Sequence, residues 1–256
     1  MTSWFYVTSE VLNSNPVYLD GDNLRHLKAL RMKKGDALVL SDGMGRAVQS
    51  LLEALESERA AVRLQSELES CSEPGISLRL FLGITKGDKM DMVVRQAVEL
   101  GCSEIIPVVT KRTVVMASPS KWEKRADRWR SIALSAAAQS RRCVIPKVLN
   151  PLLFNDMLPL LGQDSLVIVP WEEEKAISLG MLLRQYEHPP DSVSIFTGPE
   201  GGICREEIDR LRKLPTVHPV SLGPRILRAE TAPIAVLSVI MGFWGDMGSL
   251  KEMNRR

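Results

Sequence analysis

The spacing of apolar residues divides the chain into two stretches with different patterns. In the first stretch, short apolar runs at 37–41, 47–55 and 60–64 are separated by turn-like residues, which is typical of β-strands. They follow a segment in which Leu24, Leu27 and Leu30 share one helical face. Segment 69–75 is polar and ends in Pro-Gly, as a linker would. Residues 1–72 are therefore predicted to form a small β-rich domain.

From residue 77 onward, apolar strands alternate with helices. Continuous apolar runs predict strands at 78–84, 105–109, 165–169, 192–196 and 216–221. Amphipathic or apolar segments predict helices at 89–100, 120–140, 206–214 and 231–244. Gly101 fits the C-terminal cap of the first of these helices. This alternation favours an α/β domain over 77–250, with a largely parallel sheet covered on both faces.

The composition is that of an ordinary globular protein, with 45% hydrophobic and 25% charged residues. The four cysteines are widely spaced and form no C-x-x-C pair, so the sequence predicts neither a disulfide framework nor a zinc site. The three histidines are equally scattered, and no metal is expected. The cysteines are Cys71, Cys102, Cys143 and Cys204.

The chain shows no secretory signal, and its most apolar segment, 232–244, is too short to span a bilayer. We therefore expect a cytoplasmic protein without a membrane partner, in which this segment is a buried helix.

Positive charge is concentrated in residues 77–150, which hold 14 basic and 6 acidic residues, although the whole chain carries only +2. Such asymmetry fits a phosphate-facing surface, but a solvated helix face explains it as well.

Two glycine-bearing segments, 197–202 and 222–230, each follow a predicted strand. In open α/β sheets, ligands bind beyond the carboxyl ends of strands, and two such loops can form opposite walls of one pocket. Neither loop has the spacing of a nucleotide phosphate site, which disfavours a dinucleotide or a nucleoside triphosphate. From the residues alone, two tight turns explain these segments equally well.

Several motifs in this order resemble the RsmE family of 16S ribosomal RNA uridine-N3 methyltransferases, in the SPOUT superfamily. The two most specific are GPEGG at 198–202 and LGPRILRAET at 222–231. The others are RHLKALR at 25–31, KGD at 34–36, DG at 42–43, KGDKM at 86–90, ELG at 99–101, IP at 106–107, WRSIA at 129–133, AQSR at 138–141 and Pro146. The resemblance covers nearly the whole chain.

The resemblance implies a SPOUT trefoil-knot methyltransferase domain after a PUA-like β-barrel that helps to hold RNA. It also implies a homodimer that transfers a methyl group from S-adenosylmethionine to N3 of uridine 1498, in 16S ribosomal RNA or the small ribosomal subunit. The donor is expected to bind mostly through backbone groups. The residues expected to line its pocket are Thr197, Gly198, Glu200, Gly201, Gly202, Leu222, Gly223, Ile226 and Leu227.

Catalysis requires a group that removes the uridine N3 proton or stabilises the resulting anion. The resemblance implies Arg228 for orienting the base or stabilising the anion, since an arginine stays protonated. Glu230 is the nearest acid–base candidate, or else a structural residue that pairs with an arginine or caps the next helix.

The residues expected to contact RNA are Arg31, Lys86, Lys89, Gln139, Arg141 and Arg142. A run of five basic residues is expected either to attract RNA phosphates or to form a solvated helix face. These residues are Lys121, Lys124, Arg125, Arg128 and Arg130.

Two positions depart from the family pattern. No arginine precedes the aromatic residues at 4–6, and Cys204 stands where relatives often have a helix-capping serine. The alternatives to the enzyme are a non-catalytic RNA-binding ribosome-assembly protein, a nucleotide-using α/β enzyme, and a methyltransferase of the same superfamily acting on a ribose 2′-OH or a guanine.

Overall fold

The computed structural model describes residues 2–69, 71–115 and 117–248. The chain forms two compact units, each folded around its own core. The first contains Met1–Glu73 and the later segment Ala137–Ile145, and the second contains Pro74–Ala136 and Pro146–Arg256. Within the described ranges, no helix is long and apolar enough to cross a membrane.

The first unit is built on a five-stranded sheet in the order β1-β3-β4-β5-β2. Strand β1 pairs in parallel with β3, and the other neighbours are antiparallel. Inward side chains such as Phe5, Leu19, Leu27 and Leu40 form its core. The elements are β1 (Ser3–Tyr6), α1 (Ser9–Leu12), β2 (Val17–Leu19), α2 (Gly21–Ala29), β3 (Ala37–Ser41), β4 (Ala47–Leu55) and β5 (Ala60–Glu67).

The segment 137–145 belongs to the first unit although it follows most of a long helix of the second. Cys143 is fully buried against Trp4 and Val39, and its sulfur is bonded to that of Cys71. The sequence-based expectation of no disulfide is therefore wrong for this pair. A separation of 72 residues carries no local signature, so only the fold brings the two cysteines together. Cys102 and Cys204 are buried and take no part in this disulfide.

The second unit contains a seven-stranded sheet in which all pairings are parallel, so the predicted α/β architecture is confirmed. Six strands lie in the order β12-β10-β11-β6-β7-β8, and β9 also pairs with β7. The knot that the family resemblance implies stays a prediction.

The elements of the second unit alternate as the apolar pattern predicts. They are β6 (Leu78–Gly83), α3 (Lys89–Glu99), β7 (Glu104–Val109), α4 (Pro119–Gln139), β8 (Lys147–Val148), β9 (Leu152–Leu153), α5 (Phe154–Leu161), β10 (Leu166–Pro170), α6 (Leu179–Leu183), β11 (Val193–Thr197), α7 (Arg205–Leu211), β12 (Val217–Val220), α8 (Thr231–Phe243) and a 3-10 turn (Asp246–Gly248). The continuous apolar runs arise because these strands are buried on both faces, as Phe81, Val167 and Phe196 are.

The sequence pattern missed two short helices of the second unit. Helix α5 contains Pro159 and α6 contains Gly180, two residues that weaken a helical signal. The prediction of a buried helix at the end of the chain is partly wrong. Helix α8 buries one face, but Val239 and Phe243 on it are 44% and 47% exposed.

Candidate functional site

A cleft of about 490 Å³ lies within the second unit, at one edge of the parallel sheet. Four neighbouring strands, β12, β10, β11 and β6, end at this edge. The segments that follow them supply the walls, as expected for an open parallel sheet. The lining residues are Lys89, Pro170, Trp171, Glu172, Thr197–Ile203, Ser221–Ala229 and Ala232. All nine residues expected to bind the methyl donor are among them.

The first glycine-bearing loop joins β11 to α7 and packs closely against its surroundings. Its turn is closed by the Gly202 N–H, which donates to Pro199 O at 2.8 Å. Gly202 has a φ of +72°, and a Cβ there would lie 2.5 Å from Glu172 Oε1. A Cβ on Gly83, at the end of β6, would lie 2.5 Å from the backbone nitrogen of Pro199. Glycine is therefore required for this loop to pass across the end of the sheet.

The second loop joins β12 to α8 and forms the opposite wall of the cleft. The Gly223 N–H donates to Ser221 Oγ, and the Thr231 N–H donates to Arg228 O, so hydrogen bonds fix both ends of the loop. Between these ends, Arg228 is exposed and Ile226 is 88% exposed. The loop thus presents a cation and an apolar side chain at the mouth of the cleft.

Lys89 lies between acidic side chains of the two loops. Its Nζ is 3.5 Å from Glu200 Oε1 and 3.3 Å from Glu230 Oε2. The same Glu200 oxygen accepts a hydrogen bond from the backbone N–H of Lys86 at 3.0 Å. Lys89, expected to contact RNA, lines the cleft and pairs there with Glu200, and it also pairs with Glu230. Its contact with RNA stays a prediction.

Glu230 is the N-cap residue of α8, but its side chain does not cap the helix. Its pKa lies below the ordinary value, chiefly because the carboxylate accepts a hydrogen bond from its own backbone N–H. The nearby charges of Lys89 and Arg228 lower this pKa further. The helix cap that the sequence offered as one structural role is absent, and the carboxylate pairs with Lys89. The acid–base role stays a prediction.

Two buried polar atoms in the wall of the cleft have no hydrogen-bond partner in the part of the chain that the structure describes. They are Trp171 Nε1, on the residue that follows β10, and Thr197 Oγ1, at the end of β11. Buried polar groups in native proteins are normally paired, so partners supplied by a ligand would account for both atoms. Carboxylates and cations also line the cleft: Glu172, Glu200, Lys89, Arg225 and Arg228.

Cys204 is the N-cap residue of α7, and its position argues against a reactive thiol. Burial raises the pKa of the thiol, so little thiolate is present at neutral pH. Its backbone N–H donates to Glu207 Oε2 at 3.2 Å. The side chain of Glu207 therefore stabilises the start of the helix by accepting from the backbone of the N-cap residue.

The other residues expected to contact RNA are distributed over the two units. Lys86 is exposed beside the cleft of the second unit. Arg31, Gln139 and Arg141 are exposed on the first unit, and both arginines have a positive φ. Arg142 does not fit this role, because its side chain is only 3% exposed and pairs with Glu73 at 2.7 Å. The prediction that Arg142 contacts RNA is therefore corrected to a structural role.

The basic run on α4 also divides into two groups. Arg128 pairs with Asp91 through Nε at 2.8 Å, and Arg130 donates to Val148 O at 3.0 Å. These two arginines join α4 to neighbouring elements of the second unit. Lys121, Lys124 and Arg125 are exposed, and so is Arg128 despite its pairing, with 64% of its side chain accessible.

Sequence reasoning missed Arg112, in the segment after β7. Its Nη1 donates to Gly201 O at 2.7 Å and so supports the first loop from outside the cleft. It also missed Arg225 as a lining residue. Arg225 lies inside a motif that the sequence singled out, whereas no pattern marks Arg112.

Family models match both parts of the chain. The model described as an RNA methyltransferase domain matches residues 72–241, and that of an RNA methyltransferase PUA domain matches residues 19–65. The predicted PUA-like nature of the first unit is thereby confirmed.

Named relatives match over most of their length. The chain is 29% identical over 239 residues to ribosomal RNA small subunit methyltransferase E of Bacillus subtilis, covering 91% of this chain and 93% of that protein. It is 33% identical to the protein of that name from Synechocystis, covering 91% of this chain and 75% of the relative. A crystal structure of the protein of that name from Neisseria gonorrhoeae, bound to S-adenosyl methionine, has a TM-score of 0.83 at 31% identity, covering 96% and 99% of the two chains.

Proposed function

Since the chain belongs to the ribosomal RNA small subunit methyltransferase E family, we propose that it transfers a methyl group from S-adenosylmethionine to N3 of uridine 1498 in 16S ribosomal RNA. The observation that carries the proposal is the convergence of two glycine-bearing loops on one cleft. These two segments are also the most specific motifs of the family resemblance.

The cleft fits the donor in size and in chemistry. Its volume of about 490 Å³ lies within the usual range for small-molecule sites, roughly 300–1,000 Å³. The unpaired Trp171 Nε1 and Thr197 Oγ1 are suited to the polar edges of a nucleoside. The donor carries a sulfonium, an ammonium and a carboxylate, and the cleft offers groups of both signs, including Glu172, Glu200 and Arg225.

S-adenosylmethionine supplies an activated methyl group when bound, so the protein must orient the reactants, exclude water and manage one proton. The N3 position of uridine is a poor nucleophile while it carries that proton. We assign to Arg228, at the mouth of the cleft, the orientation of the base and the stabilisation of the negative charge that develops as the proton leaves.

Glu230 serves this reaction better as a fixed negative charge than as a proton acceptor. Its lowered pKa means that the carboxylate stays ionised at neutral pH, but it also makes the group a weaker base. We therefore assign it to the charge network with Lys89, and we assign the stabilisation of the N3 anion to Arg228.

Exposed basic and polar residues on both units support binding to RNA. On the second unit these are Lys86 and the exposed lysines of α4, and on the first unit Arg31, Gln139 and Arg141. The proposed partner is 16S ribosomal RNA, either alone or within the small ribosomal subunit.

The exposed apolar side chains of α8, Val239 and Phe243, support the proposal of a homodimer, since association would remove them from water. Sedimentation of the purified protein tests this: a mass of two chains is expected, and a monomer at all concentrations would contradict it. An rRNA substrate also implies a cytoplasmic location.

Methylation of small-subunit RNA tests the proposed function directly. The protein is incubated with labelled S-adenosylmethionine and either unmodified 16S RNA or small subunits, and the modified nucleoside is mapped. We expect label in 3-methyluridine at position 1498. Label in a ribose or a guanine would favour another activity of the superfamily. A protein that gives no heat with S-adenosylmethionine in calorimetry would instead be an RNA-binding assembly protein.

A further inference from the structure

We propose that Lys89 is a positioning residue that holds the two donor-binding loops together by pairing with Glu200 in the wall of the cleft and with Glu230 at the end of the second loop. This inference rests on the proposed function, because it concerns the same cleft. It assigns to Lys89 a task different from the RNA contact expected of it, and it connects three segments that are distant in the sequence.

The three side chains belong to segments that follow three different strands of the sheet. Glu200 belongs to the loop after β11, Glu230 ends the loop after β12, and Lys89 begins the helix after β6. With Nζ 3.5 Å and 3.3 Å from the two carboxylate oxygens, one ammonium group contacts both loops. All three side chains are largely shielded from water, with exposed fractions of 33%, 29% and 15% for Lys89, Glu200 and Glu230. Partial burial strengthens such pairs relative to those in open solvent.

The position of Lys89 is unfavourable for its own helix. It is the first residue of α3, where the partial positive charge of the helix end disfavours a cation. Helix stability therefore does not explain a lysine here, whereas the two carboxylates of the loops do.

Glu200 Oε1 and Glu230 Oε2 lie no more than about 7 Å apart, since both are within 3.5 Å of Lys89 Nζ. Without Lys89, these two negative charges would face each other with no positive charge between them. Their repulsion would push the loops apart and widen the cleft. Since both loops line the donor site, the first measurable consequence is weaker binding of S-adenosylmethionine.

The test is calorimetric titration of S-adenosylmethionine into the wild-type protein, Lys89→Met, Glu230→Gln and the double variant. We expect Kd to rise about tenfold in Lys89→Met and only a few-fold in Glu230→Gln. The double variant should bind at least about threefold more tightly than Lys89→Met, because the second change removes the repulsion. Lys89→Arg should stay within about threefold of wild type, since it keeps the charge.

The matched control is Lys111→Met. Lys111 also pairs with a glutamate, Glu206, but outside the cleft, so its loss should leave Kd within about twofold of wild type. Thermal unfolding of every variant without ligand separates loss of folding from loss of binding.

Each outcome bears on a different claim. If the wild type gives no binding heat, the proposed function fails before Lys89 is tested. If the wild type binds but the double variant is as weak as Lys89→Met or weaker, Lys89 acts by touching the ligand and the positioning role is wrong. Unchanged affinity in Lys89→Met would also overturn it.

Discussion

At the scale of single residues, two cations of the cleft, Lys89 and Arg228, have different roles in the proposed reaction. Lys89 is surrounded by carboxylates, whereas Arg228 stands exposed at the mouth of the cleft. The positive charge of Lys89 is therefore paired with carboxylates of the protein itself, whereas the positive charge of Arg228 is available to an incoming base. Their replacement should affect different steps.

Replacement of Arg228 by alanine should lower kcat by about 10²–10³ and leave the Kd of S-adenosylmethionine within a few-fold. The reason is that a donor aimed at developing charge acts in the transition state rather than on the bound cofactor. Single-turnover methylation of 16S RNA measures the effect. Arg205→Ala, an exposed arginine of α7, is the control and should retain full activity. An Arg228→Ala enzyme with unchanged kcat would exclude the assigned role.

The pH profile of methylation should show no inflection from Glu230 near neutrality. A carboxyl group whose pKa is lowered in the folded protein is ionised above its ordinary value of about 4.3, and it loses its charge only below that pH. The rate should therefore rise with pH as the uridine N–H itself becomes easier to ionise. The measurement is kcat/KM between roughly pH 5.5 and 8.5 for wild type and Glu230→Gln. A break near pH 6 that disappears in the variant would restore Glu230 as the base.

At the scale of elements, the ends of the strands decide where the site lies. Four parallel strands end at one edge, and glycine lets the connection after β11 cross the end of β6. The long helix α4 does not line the cleft. It carries arginines that bind neighbouring elements and lysines that face solvent.

Gly202→Ala should lower the affinity for S-adenosylmethionine by about tenfold or more and destabilise the protein by about 1–3 kcal/mol. The added Cβ meets Glu172 Oε1, and the positive φ disfavours any other residue. Gly180→Ala is the control, because in helix α6 the same change meets nothing closer than 3.6 Å and should stabilise by about 0.5–1 kcal/mol. Calorimetry and urea unfolding provide both quantities. Wild-type affinity in Gly202→Ala would show that the turn tolerates a side chain.

Replacing Lys121 and Lys124 by glutamine should weaken RNA binding at low salt and reduce the slope of log Kd against log salt by about 1–2. Both lysines are exposed on α4, where they can approach phosphates. Arg128→Gln is the contrasting variant, since that side chain is bound to Asp91 and its loss should reduce stability more than it changes the salt slope. An unchanged slope in the double lysine variant would identify this face as merely solvated.

At the scale of the whole molecule, a covalent bond joins segments that are far apart in the chain. The disulfide between Cys71 and Cys143 closes a loop of 72 residues and ties the segment 137–145 to the rest of the first unit. Such closure restricts the unfolded chain and so stabilises the folded one.

Reduction of this bond in the purified, oxidised protein should lower the free energy of unfolding by about 2–4 kcal/mol. Urea unfolding with and without dithiothreitol measures the difference. The double variant Cys71→Ser, Cys143→Ser should be insensitive to the reductant. Thiol titration of the unreduced, denatured protein should find two reactive thiols, from Cys102 and Cys204, which lie outside the disulfide. Four free thiols would contradict the pairing.

The sequence predicted what depends on local pattern and missed what depends on distant contacts. Strands β3 and β4 begin and end where the apolar runs place them, and both glycine-bearing loops were recognised. The burial of Arg142 could not be predicted, because its partner Glu73 lies 69 positions earlier in the chain. The disulfide and the pairing of Lys89 with Glu230 were missed for the same reason.

The division of the first unit into two sequence segments sets an order for its folding during synthesis. Residues 137–145 are made long after Glu73, and Cys143 fills part of the interior around Trp4. At translation rates of about 5–20 residues per second, the ribosome needs roughly 3–13 s to produce the intervening residues 74–136. For that interval the nascent amino-terminal unit lacks a piece of its interior, so a stalled or truncated product would leave it unfinished.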